Sequence, residues 1–174
     1  MDQDLKNTID RFNTEMSAID EMVHVLLKGH LLLEEALAQL IDQLVFHQKF
    51  LSEAKLTFAQ KVHIARSMCL RKADAGAWGI LLAVNGLRND LAHRLNSPER
   101  EKRVEKVKNL FFKDASDNER IKDIMAMRDH EIVMSACAHC AGFLTAATSD
   151  LRSLREIIFT MDRTMNPGLP QFEL

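Results

Sequence analysis

The sequence predicts an all-α fold, a helical bundle of about five to six helices in up-down antiparallel packing. Three observations predict it. Helix breakers and aromatics are scarce, with 6 Gly, 3 Pro, 1 Trp and no Tyr in 174 residues. Leu, Ala, Met, Lys and Glu, all good helix formers, abound. Apolar residues recur at three- and four-residue intervals along most of the chain, the rhythm of amphipathic helices. The length suits one domain and the 47% hydrophobic content suffices for a core. That domain is expected over residues 1–165, with an irregular, Pro- and Gly-containing tail over 166–174.

Leu5, Ile9, Phe12 and Met16 set the period of a first helix, over 2–15. Ser17 followed by Asp20 resembles a capping signal, so a second helix starts there or the first continues. The stretch 19–46 carries a broad stripe of Leu26, Leu33, Leu37, Leu40, Ile41 and Leu44. Gly29 interrupts it at a cost of about 1 kcal/mol, and close approach of another helix is a physical reason to keep it. Residues 47–56 read as a loop or short turn. Thr57 and Gln60 form a capping box that opens a helix to about Leu70. Its buried face is Phe58, Val62, Ala65 and Met68 or Cys69. Residues 71–76 connect, with Asp74 as an N-cap. The next helix runs over about 75–95, with Trp78, Leu81, Leu82 and Val84 as core. In it Gly86 would let two helices meet closely at a dimer axis, or simply weaken the helix.

Asn96 is a fair helix terminator, and Ser97-Pro98-Glu99 is a helix start, with Pro at the first helical position. Helix 98–113 buries Val104, Val107, Leu110 and Phe111. It is otherwise basic, with Arg100, Lys102, Arg103, Lys106, Lys108 and Lys113. Residues 114–118 form a turn and 119–127 a short helix, and Arg128-Asp129-His130 is a break or bend. A long final helix over 131–161 buries Ile132, Val133, Cys137, Cys140, Phe143, Leu144, Ala147, Leu151, Leu154 and Ile158.

The net charge of −2 does not announce a partner, but its distribution is uneven. Residues 1–60 sum to −5, 61–113 to +7 and 114–174 to −4. A basic middle suits an anionic partner such as RNA, and equally suits basic helices pairing with acidic ones. Arg94, Arg100 and Arg103 are the candidate contacts to an RNA backbone, with a solvated helix face as the alternative. Three Cys is an odd number, at spacings unlike a disulfide framework, so a reducing cytoplasmic setting is expected. The polar start MDQDLKNTID is not a signal peptide, and no run of 18 apolar residues suggests a membrane span. No Gly-rich phosphate loop is present, which argues against an NTPase. Cys137, His139 and Cys140 are compact. A continuous helix turns His139 away from the two cysteines, so neither a metal nor any other cofactor is expected.

The chemistry-bearing stretch is residues 87–93, LRNDLAH. Asn89 and His93 are four apart and share a helix face. Arg88 offers a permanent cationic fork that suits phosphate, His93 exchanges protons near neutral pH, and Asn89 adds a neutral donor and acceptor. These suffice to cleave a phosphodiester without metal. The other reading is a solvated helix end, with Arg88 on the last carbonyls and His93 at the negative terminus. Spacing alone favours that second reading. Asn85, one turn before Asn89, extends the polar face or bonds within the core. His30 and Glu34, four apart, can pair.

Arg-Asn-x-x-x-His, behind a Leu and an apolar helix, resembles the signature of HEPN domains, the higher-eukaryote and prokaryote nucleotide-binding family. GHLLLEEALAQLI, residues 29–41, looks like the family's early long helix. LTFAQKVHIA, residues 56–65, looks like the segment leading to its motif helix. The resemblance implies a HEPN-like bundle and a metal-independent endoribonuclease. It implies a homodimer in which paired motif helices form one composite site. It also implies a toxin or effector of a toxin–antitoxin or anti-phage system, with an antitoxin or nucleotidyltransferase as partner. In that reading Arg88, Asn89 and His93 are catalytic, and Glu34, with His30, supports Arg88. The 2′-OH attacks and leaves a 2′,3′-cyclic phosphate. Some family members are non-catalytic, so a nucleotide-, nucleic-acid- or protein-binding module is the alternative.

Overall fold

A computed structural model describes residues 3–17, 20–43, 45–93, 98–116 and 119–170. Every regular element in them is an α-helix: α1 (Gln3–Ser17), α2 (Glu21–Asp42), α3 (Gln48–Glu53), α4 (Phe58–Met68), α5 (Ala77–His93), α6 (Arg100–Asp114), α7 (Ile121–Met125) and α8 (Asp129–Met165). The all-α expectation holds. The helices among the described residues number eight rather than five or six. The excess is two short helices, α3 and α7, of 6 and 5 residues, and α3 lies where a loop or turn is expected.

The caps explain most of the boundaries. Asp20, not Ser17, starts α2, because its carboxylate accepts from Val23 N–H at 3.1 Å. Thr57 and Gln60 form the expected capping box on α4. The Thr57 N–H donates to Gln60 Oε1 at 2.9 Å, and the Gln60 N–H donates back to Thr57 Oγ1 at 3.4 Å. The start of α5 is later than expected. The Ile80 N–H bonds to Gly76 O at 3.2 Å, while the Asp74 carboxylate lies 3.8 Å from Arg66, so Asp74 is not the cap. A Cβ at Gly76 would press on the Asp114 carboxylate of α6, which would have to shift. At α8 the break falls at Arg128, whose N–H donates to Glu131 Oε2 at 2.9 Å, and Asp129 and His130 already belong to the helix. Leu44, residues 94–97 with the Asn96 stop and the Ser97 cap, and Asp117 and Asn118 of the 114–118 turn lie outside the described residues.

The core lies between α2, α5, α6 and α8. Leu26, Leu33, Leu37 and Leu40 of α2 meet Val133, Ala136, Cys140 and Leu144 of α8 in one buried cluster with Ile80, Leu81, Val84 and Leu87 of α5. Trp78 stands edge-on to Phe143 with ring centroids 4.9 Å apart, and its Nε1–H donates to Lys72 O at 2.8 Å. By length and composition alone α8 passes for a membrane-crossing helix. In this fold its stripe from Ile132 to Leu151 lines the bundle core.

Helix directions depart from a simple up-down bundle. Neighbours α5 and α6 are antiparallel, with Leu110 beside Gly79 and Arg103 beside Gly86. In contrast α2 and α8 are parallel. His130 reaches Glu21 at 3.0 Å, Cys137 packs on Gly29, and Arg155 donates to the carbonyls of Asp42 and Gln43 at 2.7 and 3.3 Å. Antiparallel packing follows from short connections, and these two helices are distant in sequence. Gly29 has the role its position suggested: a Cβ there would lie 2.9 Å from Cys137 Sγ.

The Cys137-His139-Cys140 group is split by its surroundings. Both thiols are buried, and burial pushes Cys137 up to about 11. Cys140 Sγ donates to Ala77 O at 3.8 Å, and His139 pairs with Asp114 at 2.8 Å.

Candidate functional site

Three helices converge on the motif. From α5, Leu87 is fully buried and anchors the turn that carries Arg88 and Asn89. Arg88 is half-buried and its Nη1 donates to Asn89 Oδ1 at 3.2 Å. Asn89 is exposed. His93 is the last residue of α5. Its side chain, and all of Arg94, lie outside the described part of the structure.

One turn earlier, Asn85 reaches inward to α2. His30 Nε2 lies 3.1 Å from Asn85 Oδ1. The amide oxygen can only accept, so Nε2 carries the proton in this arrangement. His30 is 6% exposed, and its ring lies on Phe58 of α4 with centroids 4.2 Å apart. Burial lowers its pKa below 6.5, the bond to Asn85 opposes this, and the Arg88 charge lowers it further. His30 is therefore neutral at pH 7 and sealed from solvent. It can position Asn85, but it cannot serve as the proton carrier of a solvent-facing reaction.

Glu34 does not bond to Arg88. Its carboxylate accepts from Lys61 Nζ of α4 at 2.8 Å, and that bond holds its pKa below 4.5. Arg88 is near enough for its charge to lower the Glu34 pKa further. Nor does His30 hydrogen-bond Glu34, since its Nε2 is turned to Asn85. The cluster is thus His30–Asn85 inside, Glu34–Lys61 at the side, and Arg88–Asn89 at the rim.

On the other side of α5, Asp90 faces α6. Its side chain is 9% exposed, with Oδ1 3.8 Å from Arg103 Nε. Its buried Oδ2 has no hydrogen-bond partner among the described residues. Gly86 makes room for this contact, because a Cβ there would sit 3.2 Å from Arg103 Nη1. The tight packing at Gly86 is therefore against α6 of the same chain. Arg100 grips Asp20 with both guanidinium nitrogens, at 2.6 and 2.8 Å. Of the candidate RNA contacts, Arg100 and Arg103 thus lie against carboxylates of their own chain.

Sequence reasoning passes over two members of this region. Lys61 carries no local signal, since its partner is 27 residues away. Asp90 does carry one: it is an acid between Leu87 and Leu91 on a helix whose neighbouring turns are buried. Chemically, the rim offers a fixed guanidinium beside a neutral amide, which suits a phosphate. Proton transfer would have to come from His93. Comparison with protein-family models, with curated proteins and with solved structures finds no match for this chain.

Proposed function

We propose that this chain is a metal-independent endoribonuclease of HEPN type, acting as a homodimer in the cytoplasm. We further propose that it is the toxin or effector of a toxin–antitoxin or anti-phage system, restrained by an antitoxin or nucleotidyltransferase. The observation that supports this best is the Arg88–Asn89 pair at the rim of the three-helix cluster, on the same helix that ends at His93. Arg88 and His93 are five residues apart, about 140° around the helix, so they reach one phosphate through the length of the Arg88 side chain or through a matching copy from a second chain. His93 takes the proton of the ribose 2′-OH or gives one to the leaving 5′ oxygen, and water carries the other proton. The 2′ oxygen attacks phosphorus, the bond to the 5′ oxygen breaks, and that oxygen leaves protonated. Arg88 stabilises the added negative charge and Asn89 orients one of the two side chains. The products are a 2′,3′-cyclic phosphate and a 5′-hydroxyl.

Cleavage of a labelled RNA by the parent, Arg88→Ala and His93→Ala proteins tests this. Loss of cutting in both variants is expected, and cutting by both at the parent rate would overturn the assignment. A second reading, a non-catalytic HEPN-like module that binds nucleotide, nucleic acid or protein, is favoured by the intrachain contacts of Arg100 and Arg103. It predicts no cleavage by the parent, Arg88→Ala or His93→Ala proteins alike.

A further inference from the structure

Two helical segments carry apolar stripes that the bundle leaves bare or covers only at one end. In α1, Leu5, Ile9, Phe12 and Met16 are 43–70% exposed, and no residue of the helix is buried. An isolated helix of 15 residues is marginal in water, so an apolar stripe left bare on one calls for a partner. The second segment is the end of α8. Asp42 closes α2 opposite Arg155, so residues 156–165 of α8 run on past it. There Leu154 packs on the core edge, Ile158 is half-exposed, and Met161 and Met165 are 55% and 73% exposed.

The two stripes have the same spacing. Both step by four, three and four residues: 5, 9, 12, 16 and 154, 158, 161, 165. This is the alternation of a coiled-coil seam. In antiparallel pairing every layer is filled, Leu5 with Met165, Ile9 with Met161, Phe12 with Ile158 and Met16 with Leu154. The same alignment brings Lys6 to Asp162 at the flank of the seam, an opposite-charge match.

The stripes cannot meet within one chain. Asp20 lies at the end of the bundle where Glu21 meets His130. Even with the link 17–19 fully extended, Leu5 reaches roughly 30 Å from Asp20. Leu154 is about 36 Å along α8 from His130, and Met165 about 52 Å. We infer that α1 of one copy packs antiparallel on residues 154–165 of a second copy, and that the exchange is reciprocal. The two equivalent seams of such a dimer would bury on the order of 1,500 Å², a standard-sized interface. A two-fold exchange of this kind is a low-cost route to a dimer. It does not rest on the nuclease reading, and it is a contact separate from any pairing of motif helices.

Cysteine pairing tests it, in a Cys69→Ser background. Ile9→Cys protein is mixed with Met161→Cys protein, allowed to exchange and oxidised. A disulfide-linked dimer that forms only in the mixture is expected. A dimer formed by Ile9→Cys alone, meaning α1 pairs with α1, overturns the inference. So does the absence of any cross-link in the mixture. In parallel, Phe12→Glu added to the Ile9→Cys protein should abolish the cross-link to Met161→Cys, with the bundle's melting transition kept. A parent that is monomeric, or an Ile9→Cys, Phe12→Glu protein that still cross-links to Met161→Cys, also overturns it.

Discussion

Replacing Gly29 by Ala tests the parallel contact of α2 and α8 at its tightest point. In an exposed helix interior this change stabilises by about 1 kcal/mol, because Ala is the better helix former. Here the added Cβ would stand 2.9 Å from Cys137 Sγ and 3.3 Å from Cys137 Cβ. Both residues sit mid-helix in the two longest core helices, so neither backbone yields easily. Overpacking of this kind costs about 1–3 kcal/mol. The net expectation is a loss of about 1–2 kcal/mol, or roughly 2–8 °C in Tm for a chain of this size. Cys137→Ala alone should also destabilise, by loss of buried thiol packing. Combined with Gly29→Ala it removes the Sγ collision and leaves a tight but tolerable Cβ contact. In the Cys137→Ala background, therefore, Gly29→Ala should be neutral or stabilising. Thermal and urea melts of the four proteins give a coupling energy of about 2 kcal/mol if α2 and α8 meet as described. Additive effects, or a Gly29→Ala protein more stable than its parent with Cys137 in place, would refute the contact.

Two further outcomes follow from the buried polar groups. The pKa of His30 is lowered on folding, chiefly by burial, so the unfolded chain binds that proton more readily. Stability is then fully present above about pH 6.5 and falls as the pH drops from there toward the folded value. His30→Gln keeps an amide near Asn85 but binds no proton. Between pH 7 and 5 its stability should change less than the parent's, and equal losses in melts at the two pH values would contradict the burial argument. The lowered pKa values of Glu34 and Asp20 add their losses only in the acid range, as pH falls below 4.5 and 3.8. Asp20→Ala removes both the α2 cap and the Arg100 pair, whereas Arg100→Ala removes the pair alone. Both side chains are about a third exposed, which weakens the ion pair, so the cap dominates. Asp20→Ala should cost about 1–2 kcal/mol and Arg100→Ala clearly less, as read by urea unfolding. Equal losses would contradict that division.

What is legible in the sequence is what local periodicity encodes. The stripe of α2, the Thr57–Gln60 box and the close approach at Gly29 are local patterns with a direct physical cause. Pairings across long separations leave no such trace. Lys61 takes Glu34, Arg100 takes Asp20 and Arg103 turns to Asp90, and only the packed bundle brings these groups together. The +7 block over 61–113 therefore looks more available to an anionic ligand in sequence than in the fold. Spacing leaves Asn85 open between the polar face and the core, and its bond to His30 puts it in the core. The α1 stripe has a faultless helical period, yet no residue of α1 is buried. Periodicity predicts a face, and says nothing of whether that face is covered by the same chain. Helix direction is equally hidden, because the parallel run of α2 and α8 depends on how the intervening helices bring the chain back to one end.

In the proposed nuclease α5 carries a general acid–base and a phosphate-binding cation for attack by a neighbouring hydroxyl. The most direct measurement is the chemical identity of the cut ends of a defined RNA, by mass spectrometry, after incubation in EDTA. A matched substrate carries a single 2′-deoxy sugar on the 5′ side of the cut. A 2′,3′-cyclic phosphate and a 5′-hydroxyl are expected from the parent protein, with no cut at the deoxy position. His93→Ala should cut at least ~100-fold more slowly. Products ending in a 3′-hydroxyl, cutting at the deoxy position, or no cutting at all by the parent would contradict that mechanism.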